Sequence, residues 1–391
     1  MTENKKAAAT SASIAFGMAA VWFGTHCGGG FATGNQEVNF YVQYGWYAIP
    51  LGILAMLLLG YCHRNGLIFA KDNKTYDYKS YANALFHPYE KIFSPIFEIG
   101  YIILILCGVS AAVAGGAALL SKTTGIPYGL AIVIIGAILL VMTIFGSKLI
   151  IAASKYMTYF LLVAVGLTFF LGIKAGWVNF THIMAARDTF GTSFGPALWK
   201  ALVYVGFQSF TLMPIISCAQ DVRSTKECNT FFGYGFAMNA IMLLLACVML
   251  LGFSPQVLKE TLPVHFVATS LGYSWMLAIY SLVLFIALVS TAVTLVFSMV
   301  ARFESVWQPS SGIFENLRAR RIAISILTTV ICTSISIFGL TAIVVKGYGS
   351  VGYLGLLIVV IPGIFVAGYK NRKATELRAA NGIDESDSIP A

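Results

Sequence analysis

The residues best suited to chemistry in this chain sit where helices ought to run undisturbed. The first apolar stretch reads "VWFGTHCGGGFATGNQE" over residues 21–37 and places Thr25, His26 and three consecutive glycines, Gly28, Gly29 and Gly30, at its middle. The sixth, "WKALVYVGFQSFTLMPIISCAQD", carries Gln208, Ser209 and Thr211 at its centre, with Pro214 just beyond. Proline removes an N–H and clashes with the carbonyl four residues back, which frees the backbone around Phe210. In lipid such breaks are tolerated only inside the protein or beside a water-filled cavity. Amides freed at the start of a second half-helix attract an anionic group, and carbonyls freed at the end of the first half attract a cation. The expected chemistry is therefore recognition by backbone. Gly28, Gly29 and Gly30 would offer amides to a carboxylate, with Thr25 beside them; Phe207, Gln208, Ser209 and Phe210 would offer carbonyls, an amide and an aromatic wall, and Tyr101 would close the space. The plainer alternative is that the glycines only let another helix approach closely.

Ionisable residues inside a membrane are functional candidates by default. Glu98, in "SPIFEIGY", would be a proton site, a cytoplasmic gate, or a simple ion-pair partner of Lys91 or Lys155. Lys155 lies shallow enough to snorkel to the interface. His26 has no second His, Cys or carboxylate at ligand spacing, so a metal site is not expected; it would hydrogen-bond in the cavity or sit satisfied in the core. Glu37 and Asp221 end the two broken stretches and read as solvated or gate residues. No Ser/His/Asp, paired-carboxylate or metal constellation points to an enzyme. The seven cysteines contain no CxxC pair and read as reduced core residues.

The elements that must position these groups follow from composition. Of 391 residues 58% are hydrophobic and only 10% charged, far from the roughly one quarter charged of soluble domains. An all-α polytopic membrane protein is expected, with the lipid bilayer as its principal surroundings. Apolar stretches near 11–34, 44–62, 93–120, 125–145, 149–173, 197–218, 230–253, 270–301, 321–344 and 348–368 make ten candidate transmembrane helices, each near the ~20 residues needed to cross. With the N-terminus inside, nineteen of the 25 Lys and Arg fall in inner loops, which supports an even count and two cytoplasmic termini. The net charge of +9 is thus a topology signal spread over short loops, and no nucleic-acid partner is implied. Lys5 and Lys6 precede an apolar run without a small-residue cleavage site, so a cleaved signal is not expected. Loop 63–91 and the stretch 303–320 would lie along the inner surface, and the polar tail from 376 onward would be disordered.

The motif "CGGGFATG" resembles the glycine-rich break in the first helix of the amino acid-polyamine-organocation superfamily, whose LeuT-like fold has two inverted five-helix repeats with helices 1 and 6 broken. The overall pattern is most similar to the uncharacterised bacterial YkvI-like membrane proteins. The resemblance implies a cytoplasmic tail at 1–10, a first repeat at 11–173, an extracellular loop at 174–196, a second repeat at 197–368 and a cytoplasmic tail at 369–391, in a bacterial cytoplasmic membrane. Sodium-coupled members of this fold hold Na+ between first-helix carbonyls and an Ala-x-x-Ser/Thr-Ser/Thr element on the eighth helix. The eighth stretch here, "FIALVSTAVTLVFS", supplies Ala287, Ser290 and Thr291 at that spacing, and alignment of "HCGGGF" implies carbonyls at Phe23 and His26. Residues three and four apart share a helical face, and two neutral hydroxyls with carbonyls suit a hard monovalent cation. The competing possibility is that these hydroxyls bond back to their own helix. In proton-coupled relatives a lysine in the fifth helix replaces the sodium, a role open to Lys155.

The expected function is sodium-coupled symport of a small amino acid or related zwitterion by alternating access. The alternatives are a proton-coupled carrier or exchanger of an amino acid or nucleobase-like solute, and a nutrient sensor like the germinant-receptor subunits of the superfamily. The partners expected are a small-molecule substrate and the bilayer; the sequence assigns no oligomeric state.

Overall fold

Capping chemistry and glycine placement set where the helices start and stop. The computed structural model describes residues 2–145 and 147–381, with side chains at 2–10, 145–162 and 305 excepted. Helix α1 (Thr2–His26) stops at the glycine run, and short helices α2 (Gly29–Ala32) and α3 (Asn35–Phe40) continue its path. A 3-10 segment at Val42–Tyr47 leads into α4 (Ala48–Asn73), followed by α5 (Tyr78–Phe86), α6 (Glu90–Thr124), α7 (Tyr128–Phe145) and α8 (Ser147–Ala186). The second half begins with α9 (Phe194–Gln208), a 3-10 turn at Ser209–Thr211 and α10 (Leu212–Ser217). Then come α11 (Thr225–Gly252), the short α12 (Pro263–Ser270), α13 (Ser274–Val306), α14 (Leu317–Ser336) and a last helix, Leu340–Asn381, whose middle is wound partly as π-helix.

Asp77 begins α5 by accepting from the amides of Lys79 and Ser80, both at 3.0 Å. Ser224 and Glu227 form a capping box at α11, with Glu227 N donating to Ser224 Oγ at 3.2 Å and Ser224 N to Glu227 Oε2 at 3.2 Å. Helix α6 ends at Gly125, whose φ of +76° a side chain would resist.

No strand occurs among the described residues, and seven helices are long and apolar enough to cross a membrane. Large apolar side chains such as Val163, Phe170, Val178 and Phe338 are 68–80% exposed. In water such a surface would aggregate; around a bundle of spanning helices it faces lipid. Small residues bring backbones together, since lipid gives no hydrophobic drive between helices. A Cβ on Gly206 of α9 would lie 2.0 Å from the carbonyl oxygen of Gly352 in the last helix, and one on Gly355 would lie 1.9 Å from the oxygen of Gly206.

Several expectations are corrected here. The segment 63–73 is the end of α4, not a surface loop, and Lys71 is buried beside Asp72 at 2.7 Å while Arg378 reaches the same carboxylate at 3.0 Å. The expected disordered tail is helical through Asn381, and its remainder, 382–391, lies outside the described residues. Helix α8 runs on to Ala186, which shortens the loop expected at 174–196. Lys370 of the last helix donates to the carbonyls of Ala84 and Leu85, at 2.9 and 3.0 Å, where α5 ends. A cation at a helix C-terminus is favourable both for the free carbonyls and for the dipole, so the last helix is tied to the α4–α5 elbow at one end of the bundle.

Candidate functional site

The break in the first helix is local and sharp. Cys27 N still donates to Phe23 O at 2.8 Å, then Gly28 turns extended, with φ −71° and ψ −169°. Helix α2 restarts at Gly29, whose amide donates to Thr291 Oγ1 on α13 at 3.4 Å instead of to its own helix. The sixth apolar stretch is interrupted too, because α9 gives way to the 3-10 turn Ser209–Thr211. Both interruptions open into one cavity of about 460 Å³. Its wall joins Gly28, Gly29 and Gly30 to Tyr101, Phe207, Gln208, Phe210, Ala287, Ser290 and Thr291, and among the described residues it holds no Asp, Glu, Lys or Arg. Ala20, Gly24, Thr25 and Thr294 are wall residues with exposed surface, and Tyr101 packs on Tyr78 of α5 with centroids 5.5 Å apart, so the mouth faces the α5 end of the bundle.

The opposite end is shut. Phe31, Phe40, Tyr41, Tyr204 and Phe207 are all buried, and Phe207 stacks on Tyr348 with centroids 4.8 Å apart. Helix α12 closes over α2 and α3: Val264 N donates to Thr33 O at 3.1 Å, and Asn35 Nδ2 donates to Thr261 O at 2.9 Å. Gly34 makes that approach possible, since it has φ +80° and a Cβ there would meet Val264 Cγ2 at 2.8 Å.

His26 lines the cavity and bridges three helices. Its Nδ1 lies 2.8 Å from Asn239 Oδ1 on α11, and its Nε2 lies 2.7 Å from Tyr204 Oη on α9. Asn239 spends its Nδ2 on Gly235 O at 2.7 Å, which leaves Oδ1 as the acceptor toward His26. The neutral ring therefore donates from Nδ1 and accepts the Tyr204 proton at Nε2. Among the described residues no group of three or more His, Cys, Asp or Glu could hold a metal ion.

The remaining candidates divide. Thr25 is on the wall, but its hydroxyl donates back to Val21 O and Trp22 O at 3.0 and 2.9 Å. Ser290 donates to Ala287 O at 3.0 Å, which leaves its lone pairs free to accept. Ser209 is not on the wall: it is fully buried, with its hydroxyl on Gly206 O at 2.7 Å. Phe23 is buried and off the wall, and its carbonyl already serves Cys27. Glu98 is also off the wall; it pairs with Arg302 of α13, not with Lys91, and accepts from Tyr78 Oη at 3.3 Å while the guanidinium stands 5.4 Å over the Tyr78 ring. The Lys155 side chain lies outside those described. Asp221 is exposed, but Glu37 is wholly buried, contrary to the solvated position expected. Asn239, Tyr204, Gln36 and Tyr348 were not anticipated. Asn239 did carry a signal, a lone amide inside the apolar run "FAMNAIMLLLA".

No family model matches the sequence, and no curated protein matches it. Solved structures do match its fold. MhsT in complex with L-phenylalanine aligns over 92% of this chain and 97% of its own at 14% identity, with a TM-score of 0.57. A substrate-bound, outward-open Na+-coupled sialic acid symporter aligns over 92% and 98% at 14% identity and TM-score 0.52. Inward-facing Mhp1 aligns over 96% and 95% at 15% identity and TM-score 0.51. The chain has the LeuT-like fold. At this identity the likeness establishes the architecture of a multi-pass membrane protein, and the work done at the site must be argued from its own residues.

Proposed function

We propose that the protein is a secondary active transporter that carries a small amino acid or related zwitterion together with sodium by alternating access. The observation that carries the proposal is the convergence of two interrupted helices and the Ser290/Thr291 hydroxyls on one cavity that opens to one end of the bundle only. A volume of about 460 Å³ suits a small metabolite. A wall without formal charge, apart from the titratable His26, favours a solute with no net charge, because an unpaired charge would be costly there. Neutral oxygens at Ser290 and Thr291, next to the point where α1 ends, suit a monovalent cation; the carbonyls at Phe23 and His26 would complete the set. The MhsT and sialic acid symporter structures lend the reading analogy of fold, and the latter is itself Na+-coupled.

In this proposal the chain spans the bacterial cytoplasmic membrane ten times, as repeats 11–173 and 197–368 joined by 174–196, with tails 1–10 and 369–391 in the cytoplasm. The open mouth would then face the cytoplasm, and α12 would close the outer side. A thermal-shift screen of purified protein with amino acids, betaines and nucleobases, each in sodium and in choline buffer, tests it. A ligand that stabilises only with sodium, and accumulates in proteoliposomes along a sodium gradient, is the expected result. Ligand stabilisation indifferent to sodium would reject the coupling ion, and binding without accumulation would reject transport in favour of a sensor.

A further inference from the structure

Glu37 has no part in the cavity, yet it is the residue the fold treats most strangely. It lies on α3 with 0% exposure, and both carboxylate oxygens are buried without a hydrogen-bond partner. An ionised carboxylate left unpaired in such a place carries a large desolvation penalty that nothing repays, and a group so placed takes up its proton instead. The titratable side chains within electrostatic reach are Cys27 after α1, Tyr41 after α3, Tyr204 on α9, Cys247 on α11 and Tyr280 on α13. All are neutral at neutral pH, and Tyr41 Oη is itself buried and unpartnered. Among the described residues the elements packed on α3 bring no cation to Glu37; His265 of α12 is buried with its Nε2 unpartnered, its ring 6.4 Å from that of Tyr280, and its charged neighbours are Lys122 and Glu260. Lys259 and Lys346 are exposed, Glu260 pairs with Lys122 at 2.7 Å, and the Lys200 ammonium stands over the Phe40 ring at 5.7 Å. His26, the nearest imidazole in sequence, spends both nitrogens on Asn239 and Tyr204.

We propose that Glu37 holds one proton whenever the α3–α12 end of the bundle is shut and releases it when that end opens to water, so that closure is coupled to proton uptake. The coupling half rests on the alternating-access reading; the bound proton does not. A small set of bonds keeps this end shut: Val264 N to Thr33 O, Asn35 Nδ2 to Thr261 O and to Thr341 Oγ1, and Tyr280 Oη to Ala32 O. All lie within a few residues of Glu37 along α2 and α3, so their release would hydrate the carboxyl. A hydrated glutamic acid titrates near pH ~4 and would be ionised at neutral pH. Proton binding is thereby placed on the shut side, away from Glu98, whose charge Arg302 already balances.

Infrared spectroscopy tests the proton directly. Purified wild-type protein at neutral pH should show the carbonyl stretch of a protonated carboxylic acid that Glu37→Gln lacks and Glu37→Asp retains at a shifted position. Identical spectra for wild type and Glu37→Gln would mean an ionised carboxylate, held by an ion, and would overturn the proposal. Opening is then read from maleimide labelling of Asn39→Cys at the shut end, in a background with Cys107→Ser and Cys218→Ser. Expressed as the ratio of labelling with native Glu37 to labelling with Glu37→Gln, which cancels the thiol's own ionisation, the rate should rise with pH by up to about tenfold per unit, the limit for one proton. A ratio flat with pH, despite the infrared band, would overturn the coupling. Uptake assays decide the transporter reading separately, since the band requires no substrate.

Discussion

Replacing His26 and Asn239 by leucine, singly and together, tests whether the imidazole is a structural tie between α1, α9 and α11. The His26→Leu change removes one acceptor and one donor and strands two buried groups, Asn239 Oδ1 and Tyr204 Oη. The Asn239→Leu change, nearly equal in shape, leaves the His26 Nδ1 proton only the weak acceptor Cys27 Sγ at 3.5 Å. In the double variant only Tyr204 Oη is left alone, so the pair must cost less than the sum of the singles. An orphaned buried polar group costs roughly 1–3 kcal/mol in proteins generally. Interhelical bonds in membranes average nearer ~0.6 and reach ~1.7 kcal/mol, because the unfolded chain in the bilayer also finds partners. The tie is fully buried and both His26 bonds are under 2.9 Å, so the upper part of that range applies. The expected coupling energy is about 1–1.5 kcal/mol, measured by denaturant unfolding in mixed micelles as a double-mutant cycle. Additivity within ~0.5 kcal/mol, the ordinary scatter for independent sites, would refute the network and return His26 to the list of residues available to a substrate.

Three further outcomes are expected. Ser290→Ala with Thr291→Ala should remove the sodium-dependent part of thermal stabilisation, which for wild type at a hundredfold excess of sodium over its dissociation constant amounts to about 2.7 kcal/mol; an undiminished sodium response rejects those oxygens as ligands. Gly28→Ala should be well tolerated in folding, since a Cβ would meet Thr291 Oγ1 at an ordinary 3.6 Å, whereas Gly29→Ala would press on the Leu288 backbone at 3.0 Å and should cost about 1–3 kcal/mol; equal melting temperatures for the two would contradict the geometry. At Asp77 partial burial works to raise the carboxyl's pKa, but bonds from the Ser80 hydroxyl and from nearby amides outweigh it and hold the value below the ordinary one. The charge-dependent part of its capping contribution is therefore complete above pH ~4 and is lost as pH falls through the depressed value. Asp77→Ala should cost about 0.5–2 kcal/mol at neutral pH and less at low pH, where the protonated carboxyl keeps only its carbonyl as acceptor; a penalty that does not change with pH would reject the charged cap.

What the sequence disclosed depended on whether a residue's role was local. The break at Gly28 is local: glycines and a missing side-chain pattern announce it wherever the rest of the chain goes. The i, i+3, i+4 face of Ala287, Ser290 and Thr291 is local too, and all three reach the cavity wall. Ser209 was misplaced because the chain tightens to a 3-10 turn there, which rotates the hydroxyl onto Gly206 O instead of into the space. Lys71 and Glu37 were misplaced for a different reason. Each lies beside the end of an apolar run, where water is the default neighbour, and only the arrival of Arg378 in one case and of α9 and α11 in the other buries it. A charged residue next to a span thus has two opposite fates that a one-dimensional pattern does not distinguish.

That distinction bears on how transport would be driven. Among the described residues the cavity wall has no formal charge to exchange against a substrate, so in the proposed cycle the energy would enter through ions bound next to it. Sodium at Ser290 and Thr291 would join α1 to α13, where Gly29 N already meets Thr291, and so act on the hinge of the first helix. A proton on Glu37 would act on α3, across the break and on the shut side. In that proposal the two sites would flank the glycine break of the first helix from opposite ends. Sodium binding would then set whether α1 is held against α13, and proton binding whether α3 is allowed to remain buried; neither needs to touch the substrate to bias the same equilibrium. On that reasoning Glu37→Gln should favour the conformation seen here at every pH while leaving the sodium response of Ser290 and Thr291 in place. Loss of both responses in that variant would mean the hinge is not shared.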